Sequence, residues 1–115
     1  KMSIVSERII SNRMKRIEAH KKVLQGDIKK AVDILVNHYP VRRIILFGSM
    51  VTGKVSPSSD IDLAVEGLGE QFIKAVGHCM GECKTNIDIK PLEDLDPQFR
   101  KIVLEKGRLI YESGK

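Results

Sequence analysis

The sequence predicts an α/β domain: a small mixed β-sheet with helices packed on one side, preceded by a long N-terminal helical segment. Two observations carry this. Three short apolar runs, Arg43–Phe47, Asp60–Val65 and Thr85–Lys90, have strand character, and the stretches around them repeat apolar residues at helical spacing. We expect residues 1–39 to form the helical segment and residues 40–115 the sheet-bearing domain.

The N-terminal segment comes first. Ile10, Ile17, Leu24 and Ala31 recur every seven residues, with Met14, Ile28 and Leu35 on the alternate seam and Lys21 interrupting it. Such spacing makes one stripe along a helix. Gly26-Asp27 could divide the stripe, since Asp is a good N-cap. The phase survives the glycine, which favours one long helix ending before Pro40. His20 and His38 read as surface or packing residues.

The strands decide where chemistry can sit. Arg43-Ile44-Ile45-Leu46-Phe47 is a buried strand that stops at Gly48. Residues 51–59 hold Gly53, Pro57 and several Ser/Thr residues, which is loop composition. Asp60-Ile61-Asp62-Leu63-Ala64-Val65 then alternates, placing Asp60 and Asp62 on one face and Ile61, Leu63 and Val65 on the other. Ile87-Asp88-Ile89 repeats the pattern, so Asp88 can join the two acids on a neighbouring strand.

The remaining elements are scaffold. Phe72, Ile73, Val76 and Met80 mark a helix between the second and third strands. Pro97 suits the first turn of another, with Phe99, Ile102 and Val103 as its core face. Gly107 stops that helix, and Arg108–Glu112 reads as a last strand.

Three clustered carboxylates repel one another unless a cation sits among them. Mg²⁺ favours oxygen ligands from one or two carboxylates plus substrate phosphates, and a pair of such ions supports in-line displacement at phosphorus. Gly48 permits close backbone approach to a phosphate, and Ser49 adds a hydroxyl and an N–H. Gly53 relaxes the turn beyond, and Ser59 precedes the acids. The pattern Gly-Ser, nine residues, Ser-Asp-x-Asp, then an Asp 26 residues further on, is a nucleotide-transfer arrangement.

Gly48-Ser49, Ser59-Asp60-Ile61-Asp62-Leu63 and Asp88 resemble the signature of the DNA polymerase β-like nucleotidyltransferase superfamily. The size and the ending 102–112 are similar to its minimal nucleotidyltransferases (MNT), many of them antitoxins paired with a helical HEPN-domain toxin. The resemblance covers residues 40–112. It implies transfer of AMP from ATP to a protein hydroxyl of a HEPN-domain partner, with two Mg²⁺ ions. Asp60, Asp62 and Asp88 would be the metal ligands and catalytic residues, and Gly48, Ser49, Gly53 and Ser59 the nucleotide-binding residues. Asp88 would serve the ion that activates the acceptor. The chain departs from the pattern at Met50, where many relatives carry Arg; losing that cation weakens the hold on a triphosphate. Two other readings stand beside this one. An antitoxin could neutralise its partner by binding alone, or a small-molecule nucleotidyltransferase could modify an antibiotic.

Composition sets limits. The 115 residues suffice for one modest core. No apolar run approaches membrane-spanning length and no signal-peptide pattern occurs, so a cytoplasmic protein is expected. Cys79 and Cys83 are too few for a disulfide framework, and their spacing with His78 is weak support for zinc. Residues 1–43 carry 11 Lys/Arg against 4 Asp/Glu, whereas the remainder is slightly acidic. The basic helix offers a surface to an acidic protein partner or to a second copy as a homodimer. RNA is the poorer fit, because no aromatic residue accompanies Arg8, Arg13, Lys15, Arg16, Lys21 and Lys22 for stacking.

Overall fold

The computed structural model describes residues 4–114, with side-chain surroundings from residue 8 onward; the outermost residues of the two expected segments lie outside that range. Helix α1 (Ile4–His38) is unbroken through Gly26 and Asp27. Then follow β1 (Arg43–Phe47), the short helix α2 (Ser49–Thr52), β2 (Ile61–Glu66), α3 (Phe72–Glu82), β3 (Ile87–Pro91), α4 (Pro97–Lys106) and β4 (Arg108–Glu112). The sheet order is β3-β2-β1-β4. β1 is antiparallel to both β2 and β4, and β2 is parallel to β3. A parallel pair needs a crossover connection, and α3 provides it.

Alternation along the strands creates two unlike faces. Ile44, Leu46, Ile61, Leu63, Val65, Ile87 and Ile89 form a continuous core with Leu24, Ala31 and Leu35 of α1 and Ala75 and Cys79 of α3. On the opposite face, Ile45, Ala64, Leu92 and Val103 form a smaller cluster with Phe47, Leu95 and Phe99. Thus α1 and α3 share one side as expected, while α4 covers part of the other. Asp96 caps α4, accepting from the Gln98 and Phe99 N–H groups at 3.1 and 3.4 Å, with Pro97 in the first turn.

Two helix faces differ from the sequence expectation by a fraction of a helical turn, and one loop begins later than expected. In α3 the buried positions are Ala75 and Cys79, whereas Ile73 and Met80 are 77% and 55% exposed. The reason is close approach to α1: small side chains let the helices meet, and the Cys79 thiol faces the Ala31 carbonyl at 4.0 Å. In α4, Val103 is buried and Phe99 partly so, but Ile102 is exposed. Val51 and Thr52, the start of the expected loop, instead complete one turn of helix with Ser49 and Met50.

The α1 stripe divides in two. From Leu24 onward it is buried in the core; before His20 it runs past the sheet, with Ile10 and Met14 exposed. No helix among the described residues is long and apolar enough to cross a membrane.

Candidate active site

The face that bears α4 also bears the acids. Asp62 is the cross-strand partner of Phe47 on β1, so the turn leaving β1 at Gly48 sits beside its carboxylate. Gly48 has φ +81°, and a Cβ there would collide with the Asp62 carboxylate. Glycine is therefore required twice over, for conformation and for space. The turn enters α2 directly; the Val51 and Thr52 N–H groups bond to the Gly48 carbonyl at 3.0 and 3.1 Å. First-turn N–H groups of a helix have no intrahelical acceptor, which leaves those of Ser49 and Met50 for a ligand. Gly53 closes the turn in the left-handed region, donating its N–H to the Ser49 carbonyl at 3.0 Å.

On the other side, Asp62 of β2 pairs in register with Asp88 of β3, and Asp60 immediately precedes β2. Asp62 is half-buried, and Asp60 and Asp88 are exposed. Burial pushes the Asp62 carboxyl above the usual carboxylate range, and the charges of Asp88 and Asp60 push it further, with Lys90 partly opposing them. Asp62 thus lies within reach of both other charges. Asp88 forms an ion pair with Lys90 at 3.2 Å. Among the described residues, no three carboxylate, imidazole or thiol groups are already closed around a single point. The donor set of hard, mutually repelling oxygens nonetheless fits a divalent cation, which would relieve that repulsion.

The other expected site residues are less directly placed. The Ser59 hydroxyl is used within its loop, accepting from the Ser56 N–H at 2.8 Å. Met50 packs on the α1-side core and lines a hollow of about 400 Å³ with Lys21, Gln25 and Arg108. Cys79 is buried and Cys83 half-buried, both as free thiols.

Two residues near the site read from the sequence in other roles, His20 as a surface or packing residue and Asp27 as a possible N-cap. The His20 Nε2–H donates to the Ser59 carbonyl at 2.8 Å, next to Asp60; since a carbonyl can only accept, Nε2 carries the proton. Asp27 is 2% exposed and accepts from the Lys84 N–H, the Thr85 N–H and the Thr85 hydroxyl at 2.7–3.1 Å. Burial alone would push its carboxyl up, but the Thr85 hydroxyl and the two N–H donors outweigh it and hold it low. A usable signal existed: His20, Leu24, Asp27, Ala31 and Ile34 follow the alternating four-three spacing of an inward seam, and two members are polar.

A glycine turn against an acid-bearing strand, with another acid in register on the parallel neighbour, is the layout of a nucleotidyltransferase-type domain. Residues 29–115 match the family described as "Polymerase beta, Nucleotidyltransferase", and the chain belongs to that family. No curated protein matches the sequence. Among solved structures, the chain is similar to a toxin-antitoxin complex with AMP-PNP (20% identity, 77% of this chain and 73% of that chain, TM-score 0.61). It is also similar to the toxin-antitoxin MntA-HepT (19% identity, 77% and 73%, TM-score 0.58). A mutant of that pair aligns over 75% and 72% of the two chains, at 21% identity and a TM-score of 0.60. At these identities the likeness is one of fold.

Proposed function

We propose that this chain moves AMP from ATP to a hydroxyl of a protein partner in a divalent-metal-dependent reaction, and that it serves as the antitoxin of a HEPN-domain toxin. The observation that carries the reading is the half-buried Asp62, set between the Gly48 turn and Asp88 and repelled by both neighbouring acids. The toxin-antitoxin complexes among the structural neighbours support the partner class. The exposed Ile10 and Met14 on α1 offer such a partner an apolar contact.

In this reading Asp60, Asp62 and Asp88 hold Mg²⁺. Held there, the ions would supply charge stabilisation at the attacking and leaving oxygens. The Ser49 and Met50 N–H groups and the Ser49 hydroxyl orient the triphosphate beside Gly48. Asp88, on the outer strand, accepts the proton of the incoming hydroxyl as its oxygen bonds to the α-phosphorus and pyrophosphate departs. With chain, toxin, Mg²⁺ and α-labelled ATP, label passes to the toxin. Wild type behaving like Asp60→Ala/Asp62→Ala would remove the enzymatic claim.

A binding-only antitoxin is the second reading, favoured by the Asp88–Lys90 ion pair, which already occupies one acid. It requires that the double-Asp variant still neutralise the toxin at equal stoichiometry.

A further inference from the structure

Helix α1 touches the segments that lead into both acid-bearing strands, and it does so with polar side chains in an otherwise apolar seam. His20 holds the Ser59 carbonyl at 2.8 Å, one residue before Asp60. Asp27, two helical turns further on, gathers the backbone of Lys84 and Thr85 and the Thr85 hydroxyl, three residues before Asp88. Between them Leu24 is fully buried, so the helix cannot roll without disturbing the core. His20 and Asp27 both lie ahead of residue 29, where the family match begins.

We infer that His20 and Asp27 are positioning residues: α1 acts as a clamp that fixes the entries to β2 and β3, and so sets the spacing of Asp60 and Asp62 against Asp88. The spacing matters because the acids are not already closed on one point and Asp88 has a competing partner in Lys90. A cation must therefore be gripped by strands whose relative placement is fixed from elsewhere. A carboxylate that accepts from three donors and has almost no exposure is a rigid anchor, because breaking it would leave a buried charge without its hydrogen bonds. The carbonyl of Ser59, in contrast, is held by one imidazole. The two contacts thus differ in strength, and the β2 entry is the one more easily released.

The inference rests on the nucleotidyltransferase reading of the acids, and the test separates the two. Mn²⁺ alone is titrated into the protein by calorimetry, alongside thermal melting of each variant. Wild type is expected to bind Mn²⁺ and Asp62→Ala to lose it. His20→Ala and Asp27→Asn should each weaken Mn²⁺ binding by about tenfold, the lower end of what losing supporting contacts around a metal site costs. His20→Gln, whose amide can replace the Nε2–H donor, should restore it. Asp33→Asn, an exposed change on the same helix, should leave it unaltered. If His20→Ala and Asp27→Asn melt earlier yet bind Mn²⁺ as wild type does, the clamp is overturned while the metal site stands. If wild type binds no Mn²⁺, the nucleotidyltransferase reading fails and the clamp with it. Should Asp27→Asn not fold, the His20→Ala/His20→Gln pair decides alone.

Discussion

The two faces of β2 differ sharply in what they carry. Ile61, Leu63 and Val65 are fully buried against α1 and α3, whereas Asp62 and Glu66 look the other way, onto a face that α4 covers only in part. Because side chains alternate, a six-residue strand keeps the groups that hold the fold apart from those that carry charge. Glu66 shows what a charge on that face does when partnered: the Arg43 guanidinium, 2.9 Å away, holds its carboxyl below the usual range. Asp62 has no ion pair among the described residues, only a weaker opposing pull from Lys90, and moves in the opposite direction.

That separation can be broken from either side. The largest effect belongs to the charged face. Asp60→Ala/Asp62→Ala should lower the proposed AMP transfer by on the order of 10²–10³-fold, the scale of losing preorganised charge stabilisation, while circular dichroism stays native. On the apolar face, Leu63→Ala should destabilise by about 2–5 kcal/mol, read from urea denaturation, through a cavity in the larger core. Gly48→Ala should cross the boundary between the two. It forces a side chain into a positive-φ turn and against Asp62, costing about 1–3 kcal/mol, and transfer should fall even where the protein is folded.

A pH titration sharpens the comparison further. The raised Asp62 value means that its contribution favours the fold below the ordinary carboxylate value of 3.8 and is lost as pH rises through the folded value. Asp62→Asn should therefore have a higher denaturation midpoint than wild type at neutral pH, with the gap closing toward pH 3. Glu66 and Asp27 have lowered values and run the other way. Their contribution is present above the ordinary range and disappears as pH falls through the folded values. The smallest effect concerns the thiols. Burial pushes Cys79 up to about 11, so iodoacetamide at neutral pH should label the half-buried Cys83 well before Cys79.

The alternation around Asp60–Val65 and Ile87–Ile89 made both faces of the sheet legible in the sequence, and the Gly-Ser turn beside Asp62 followed from residue order alone. Helix faces were harder to place. Ile73, Met80 and Ile102 satisfy helical spacing yet lie exposed, because Ala75 and Cys79, although small, suit a tight approach to α1. Hydrophobic periodicity weighs size, whereas helix–helix contact selects for fit. Asp27 and His20 escaped for a related reason: one reads as an N-cap and the other as a surface or packing residue, because the partner of each comes from a distant part of the chain. The Asp88–Lys90 pair is likewise a matter of side-chain conformation, which spacing does not specify.

The length of α1 has one more mechanical consequence. Its buried part is gripped by the sheet, and the part before His20 projects beyond it, giving principal extents of 56 × 30 × 23 Å. At 1.5 Å per residue the projecting arm is about 24 Å long, so a tilt of about 10° at its root swings the tip by about 4 Å. A body attached to that tip works with leverage, and the torque is borne at the root, where the two polar contacts lie.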